Sequence, residues 1–420
     1  MARTLGADRS VRRPAPLRAL PLLLAALLAL LVGTGCVSRT VKTVHSEPVH
    51  AGEELAESML LDVGIRIFDP NIPEDWDERE AQNVLPEVRR AEARYMPQVL
   101  KTTLQNSGNW GAVRVIPRNT TAVDLTIRGR IVDSDGELLA LDVEVVDATG
   151  RTWLENEYSY LTSKYVYAED APPGVDPFQP LYTRIANDML EVRRELEAQE
   201  LRRIRQVAEM RFAEEFAPEA FDGYVEQTRR GRWELRRLPA EDDPMLTRIR
   251  RVREREYLFI DTLDEYYGQF QRDMRTSYDD YRKFTYAEAV NLRELRQQSR
   301  RRAIAGLVAV AGGLAAMASD DNYARNAGFV AIAGGAYSLK SAFDKNAESK
   351  MHMEAIRELG ISLEQEVAPQ VIELDDRTYR LTGTVDEQYD AWRDILQDLY
   401  RTETGLPVAA EGETPAPEGS

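Results

Sequence analysis

Outside its carboxylates, this 420-residue chain has few of the thiol and imidazole groups that most readily serve as nucleophile, general base or metal ligand. It holds one cysteine, Cys36, and three histidines, His45, His50 and His352. A stable zinc site needs three or four ligands, which two histidines in a polar stretch cannot supply. No Gly-x-Ser-x-Gly elbow, Ser-x-x-Lys pair, phosphate-cradling glycine loop or His-Glu-x-x-His helix occurs. Asp133-Ser134-Asp135-Gly136 has the start of a calcium loop but lacks the later ligands, and it fits a hairpin turn better. The 71 acidic residues leave glycosidase-like acid-base work open, yet no pair is singled out by the apolar setting that tunes a catalytic acid. The expectation is a protein without catalysis, cofactor or metal.

Cys36 has its own context. Arg3, Arg9, Arg12, Arg13 and Arg18 oppose one acid, Asp8, ahead of an apolar run of about 14 residues at 19–32. That is a secretory leader, too short for a span across roughly 30 Å of hydrocarbon. Pro14-Ala15-Pro16 follows Arg12-Arg13 where a twin-arginine signal wants a hydrophobic pair. The run closes on Leu31-Val32-Gly33-Thr34-Gly35-Cys36. This resembles the lipobox of bacterial lipoproteins, with Gly33 where that family usually has leucine. The resemblance implies cleavage before Cys36, its diacylation, and a membrane anchor through those acyl chains. Val37 and Ser38, with no aspartate at the second position, imply by the same resemblance an outer-membrane address facing the periplasm.

Removing residues 1–35 leaves 49 basic against 70 acidic groups, a net charge of about −21. Such a surface repels nucleic acid unless positive charge is concentrated locally. Partners are therefore sought among envelope proteins, a second copy of the chain included, and not among nucleic acids.

The pattern divides into a signal peptide at 1–35, a tether at 36–57, an α+β domain at 58–198, a charged helical region at 199–302, a small-residue helical hairpin at 303–343, a helix, β-hairpin and helix at 344–404, and a disordered tail at 405–420. In the domain, strict alternation at 61–67 predicts a strand. Helical spacing follows over 78–105, interrupted by Pro86 and Pro97. Strand-like runs at 112–116, 122–132, 138–146 and 152–160 are separated by turn compositions, and a helix at 177–196 closes the unit. The fold class is α+β: a β-α-β-β-β-β-α domain, then a mainly helical region, then a carboxy-terminal β-hairpin plus helix. On this element order and on Ile185-Ala186-Asn187-Asp188-Met189-Leu190, residues 58–198 resemble the periplasmic domains of the curli-secretion lipoprotein, penicillin-binding-protein activators and the amino-terminal part of TolB. That resemblance implies a domain that binds other envelope proteins.

Residues 199–302 are dense in charge. Leu263, Tyr267, Phe270, Met274, Tyr278 and Tyr281 form a three-four stripe that must be buried, on a bundle of this chain or on a coiled-coil partner. Arg229, Arg230, Arg232, Arg236 and Arg237 head a local reversal of charge, either a solvated helix face paired with the chain's own carboxylates or a patch for an anionic partner.

One segment is duplicated. Residues 305–313 read A-G-L-V-A-V-A-G-G and 327–335 read A-G-F-V-A-I-A-G-G. Ala305, Ala309 and Gly313, and again Ala327, Ala331 and Gly335, recur every fourth residue and would make a smooth stripe on an αα-hairpin. Such a hairpin is either a soluble or self-associating packing element or, as an alternative function, a membrane-inserting or pore-forming one; glycine-zipper lipoproteins are similar to it. Farther on, residues 379–386 resemble the strand-to-helix passage of the envelope BON domain. The leading expectation is a lipid-anchored scaffold or adaptor of an envelope complex, with a peptidoglycan-acting enzyme as the third reading.

Overall fold

The structure, a computed structural model, describes residues 48–52, 56–82, 84–117, 120–168, 174–240, 242–317, 358, 370–374 and 377–405. Cys36, the second copy of the repeat with Ala327, Ala331 and Gly335, and the tail from 406 onward lie outside the described residues.

The chain is α+β, as its periodicities require. Strands β1 (Val63–Arg66), β2 (Val113–Ile116), β3 (Leu125–Ser134), β4 (Leu138–Asp147) and β5 (Thr152–Leu161) form one sheet in the order β2-β1-β3-β4-β5. β1 runs parallel to both neighbours, while β3, β4 and β5 form an antiparallel meander. The alternation read in the sequence reappears as alternating burial along β3 and β4. Helices α1 (Trp76–Gln82) and α2 (Pro86–Ser107) connect β1 to β2, and α3 (Gln179–Glu195) follows β5.

The two prolines act differently. Pro86 occupies the first turn of α2, where its missing N–H costs nothing. Pro97 sits inside α2 and leaves the Ala93 carbonyl without a helical donor. The backbone N–H of Phe68 takes that place at 3.0 Å, which ties the chain leaving β1 to the middle of α2.

After α3 come α4 (Ala198–Phe216), the single turn α5 (Pro218–Phe221) and a short hairpin of β6 (Val225–Gln227) and β7 (Trp233–Leu235). A single helix, α6, then runs from Pro244 to Met317, 74 residues, or about 111 Å at 1.5 Å per residue. It passes through the 302/303 position without a break, so Ala305, Ala309 and Gly313 lie on its backbone. No described helix is long and apolar enough to cross a membrane.

The stripe on α6 packs within this chain. Phe270, Met274 and Tyr278 join the core made by the sheet, α2, α3 and the first half of α4. Leu263 and Tyr267 join a second cluster with Val115, Ile116, the second half of α4 and the carboxy-terminal helix. Strands β8 (Gln370–Leu374) and β9 (Arg377–Leu381) pair around 375–376, and α7 (Val385–Thr404) follows. Thr384 and Glu387 form a reciprocal capping box at its start, and Tyr389, Trp392, Leu396 and Tyr400 are its buried face.

Candidate functional site

Where β1 and β2 end, a cleft of about 780 Å³ opens between the sheet, α2 and the start of α7. This is the carboxyl end of the parallel strands, with β1 between two neighbours reached by different connections, the place where sheets of this kind leave a crevice. Four arginines line it: Arg66 from the end of β1, Arg90 and Arg94 from α2, and Arg128 from β3. Asp69 and Asp386 are the acids of its wall.

Local sequence explains each placement. Arg90 and Arg94 are one turn apart, so both project from the same side of α2; Arg94 also donates to the Arg90 carbonyl at 3.2 Å. Arg66 and Arg128 stand one residue beyond the paired Ile65 and Ile127 of the parallel strands, which puts both on one face of the sheet, near enough for the Arg128 charge to act on Arg66. Phe68, held by the Ala93 carbonyl, lies over Gly129, where a side-chain carbon would come within 2.5 Å of the ring. Phe68 is thus the apolar floor of the cleft.

The electrostatics are uneven. Arg128 pairs with Glu144 at 2.9 Å, and Asp69 with Arg130 at 3.3 Å, both in exposed settings. Burial and then the Arg128 charge lower the Arg66 pKa, with Glu144 opposing. The Arg66 Nε is shielded from solvent and has no hydrogen-bond partner. A shielded guanidinium nitrogen without an acceptor is a point at which an anion would be held.

The shifted carboxyl groups lie elsewhere. Glu92 is buried and accepts from Tyr278 at 2.6 Å and Ser134 at 2.7 Å, beside Arg89 at 3.4 Å; burial raises its pKa. Glu256 accepts from Thr120 at 3.1 Å and from Tyr389, and burial raises it too. Asp124 is pushed up to about 6, again by burial. Each belongs to the packing between elements, and none lines the cleft.

The arginines singled out in the sequence are located differently from the expectation of a helix face. Arg229, Arg230 and Arg232 project into solvent from the β6-β7 turn. Arg236 pairs with Glu226 at 2.7 Å and Glu234 at 3.2 Å. Arg237 covers the Tyr224 ring at 4.1 Å. The local reason is Gly231, whose φ of 77° closes a turn that a helix would not accommodate. Trp233 then bonds to Thr149 at 2.7 Å, docking the hairpin on the β4-β5 turn. The arginines that follow on α6 are used internally, Arg250 with Glu209 at 2.6 Å and Arg255 with Glu403 at 3.5 Å. In the suspected calcium fragment, Asp135 caps its own turn by accepting from Glu137 and Leu138, both at 2.7 Å. His50 lies in an exposed setting, its Nδ1 3.1 Å from the Asn106 carbonyl.

Sequence reasoning missed the cleft arginines. The one local signal was the like-charged pair Arg90 and Arg94 at helical spacing, an arrangement that costs a few tenths of a kcal/mol, about 0.2–0.5, unless something offsets it. Arg66 and Arg128 are 62 positions apart and meet only through the sheet.

No family model, curated protein or solved structure matches this chain.

Proposed function

We propose that this chain is a bacterial lipoprotein, anchored through acyl chains on Cys36 to the periplasmic face of the outer membrane, that works as a scaffold or adaptor for a protein complex of the envelope. The observation that carries the reading is the placement of the chain's one cysteine directly after an arginine-led apolar leader. An exported thiol with no second cysteine in its own chain has no internal disulfide to form, and acylation accounts for both its position and its solitude. The body is in keeping with a binding role: its buried Glu92 and Glu256 are engaged in packing, while arginines and Phe68 line its cleft. The element order β-α-β-β-β-β-α, which resembles that of the envelope lipoprotein domains named above, is in keeping with it.

Intact-mass analysis of the amino-terminal peptide from the native membrane tests the anchor. The expected result is a chain beginning at Cys36 with acyl groups on it, and a Cys36→Ser variant that leaves the membrane under carbonate extraction. An unmodified thiol or a retained leader overturns the proposal. Membrane retention of Cys36→Ser would transfer support to insertion of residues 303–343, and turnover of muropeptides would replace the scaffold with an enzyme. Crosslinking in the native envelope identifies the partner.

A further inference from the structure

We propose that the β6-β7 turn, through Arg229, Arg230 and Arg232, rests on the anionic phospholipids of the membrane that holds Cys36. The inference depends on the acylation of Cys36 proposed above, and it names the surface that the anchored body meets.

The turn and the point where the tether enters lie at one end of the sheet. The Val49 carbonyl accepts from Asn109 Nδ2 at 2.7 Å, and the Ala51 N–H donates to the Ser107 carbonyl at 3.0 Å, so the tether enters where α2 ends. From there a row of backbone bonds crosses the amino-terminal ends of β1 and β3. Gly111 donates to Leu61 at 2.9 Å, Asp124 to Asp62 at 3.1 Å, and Ala148 to Asp124 at 2.8 Å. Thr149, next in the β4-β5 turn, accepts from Trp233 of β7. Gly150 is so near Gly231 that an added carbon would stand 2.7 Å from the Gly231 carbonyl oxygen. Pro48 follows Cys36 by twelve residues, a reach of about 40 Å at full extension. An acylated Cys36 therefore keeps this end of the body within that distance of the headgroups.

Charge sets the turn apart. Arg229, Arg230 and Arg232 are exposed and form no ion pair among the described residues, in a chain of 71 acids. The acids of the hairpin, Glu226 and Glu234, are both taken by Arg236. In the neighbouring β4-β5 turn the buried Asp147 accepts from Thr149 and Trp153, and Arg151 pairs with Glu200 at 3.8 Å. Glu57 stays exposed at the same end, so any attraction by the turn is local, acting within a Debye length of about 8 Å at physiological salt.

That short range selects the partner. A mature chain of net charge about −21 repels a freely diffusing anionic protein or polymer, and three arginines on one turn do not reverse this. A leaflet to which the chain is already fastened needs no search, because the second contact is intramolecular. At an anionic leaflet each basic side chain shifts the balance roughly fivefold, and three together about a hundredfold.

Energy transfer from the natural acylated chain, reconstituted into vesicles, to an acceptor on the lipid headgroups tests the placement. With Cys36 acylated, a cysteine introduced by Gln227→Cys in β6, or by Glu74→Cys beyond the carboxyl end of β1, is the one thiol open to a donor dye. On vesicles containing phosphatidylglycerol, transfer from position 227 is expected to exceed that from position 74, and to fall in phosphatidylcholine alone and in high salt. Arg230→Gln should lower the ratio of docked to undocked chain roughly fivefold, and the triple variant Arg229→Gln, Arg230→Gln, Arg232→Gln should abolish the difference between the two lipids. Equal transfer from position 227 on both lipids, full transfer in the triple variant, or a position 74 nearer the headgroups than 227 would overturn the inference while leaving the anchor intact. A chain that floats with neither kind of vesicle shows that the anchor has failed, and the inference falls with it.

Discussion

Arg282 on α6 grips Asp176, in the loop before α3, through two guanidinium nitrogens each 3.1 Å from the same carboxylate oxygen, with both side chains at most 5 % exposed. Tyr278, one turn earlier on α6, places its ring 4.1 Å from the same guanidinium and bonds to Glu92. Removing Asp176 leaves the buried guanidinium with only Asp279, 2.5 Å away and 41 % exposed. Asp176→Ala is therefore expected to cost about 3–5 kcal/mol, and the double variant Asp176→Leu with Arg282→Met much less. Urea unfolding of the three proteins measures both; equal losses in single and double variants would refute the pair as the cause.

Asp124 supplies a pH dependence with a defined sign. Burial is the main cause of its rise from 3.8 to about 6, opposed by the nearby Arg253. Between those values the folded chain keeps a proton that the unfolded chain has released. Its contribution to stability is thus complete below about pH 4 and is lost as pH climbs through about 6. At about 1.4 kcal/mol per unit, the difference amounts to about 3 kcal/mol. Asp124→Asn can still accept from the Asp62 N–H, which lies 2.9 Å from the carboxylate in the native chain. The stability difference between native chain and variant, measured from pH 4 to 7, should shift in the variant's favour as pH rises.

At the β3-β4 turn, Gly136 allows α6 to lie directly against the sheet. A carbon added there would fall 2.3 Å from the Arg282 carbonyl oxygen and 2.6 Å from the Tyr286 nitrogen. Both are backbone atoms of a helix and cannot step aside. Gly136→Ala is expected to cost about 1–3 kcal/mol or more and to lift the turn from α6. A thermal melt measures the first effect, and faster amide exchange around residues 135–138 the second.

Tyr389 ties the carboxy-terminal helix to α6 through Glu256, whose second oxygen is buried without a partner. Tyr389→Phe leaves the carboxyl group with Thr120 alone at its bonded oxygen. A loss of about 1–3 kcal/mol is expected, expressed as faster hydrogen exchange in residues 385–404 ahead of the sheet. Uniform acceleration across the whole body would show that α7 does not open separately.

The β-hairpin of Arg229, Arg230 and Arg232 provides the contrasting case. These three side chains are exposed and form no ion pair among the described residues. Replacing all three by serine should change stability by no more than about 0.5 kcal/mol per site. A larger drop would mean that the turn contributes to folding through more than its backbone.

Much of the architecture was readable without coordinates. The strand runs at 112–116, 122–132, 138–146 and 152–160 match β2 to β5 to within a few residues, because half-buried strands must alternate and Asp-Gly or Thr-Gly turns must separate them. The stripe from Leu263 to Tyr281 required a buried partner, and Pro97 required a missing hydrogen bond in α2, but the helix runs on through it where a kink or break was expected, the freed Ala93 carbonyl being taken by Phe68. In each case the cause is local: backbone geometry converts residue spacing directly into a face or a missing bond. The hairpin β6-β7 escaped because strands of three residues are too short to show a period.

Which surface met the stripe, which donor took the carbonyl freed by Pro97, and which four arginines came together were matters of packing. Arg66 and Arg128 become neighbours through strand register, and Arg90 and Arg94 line the same cleft only because α2 packs beside the end of β1. Spacing along a chain dictates the side of an element on which a residue sits. Its opposite number depends on how elements bury their apolar faces together, a balance of contacts made between residues far apart in the chain.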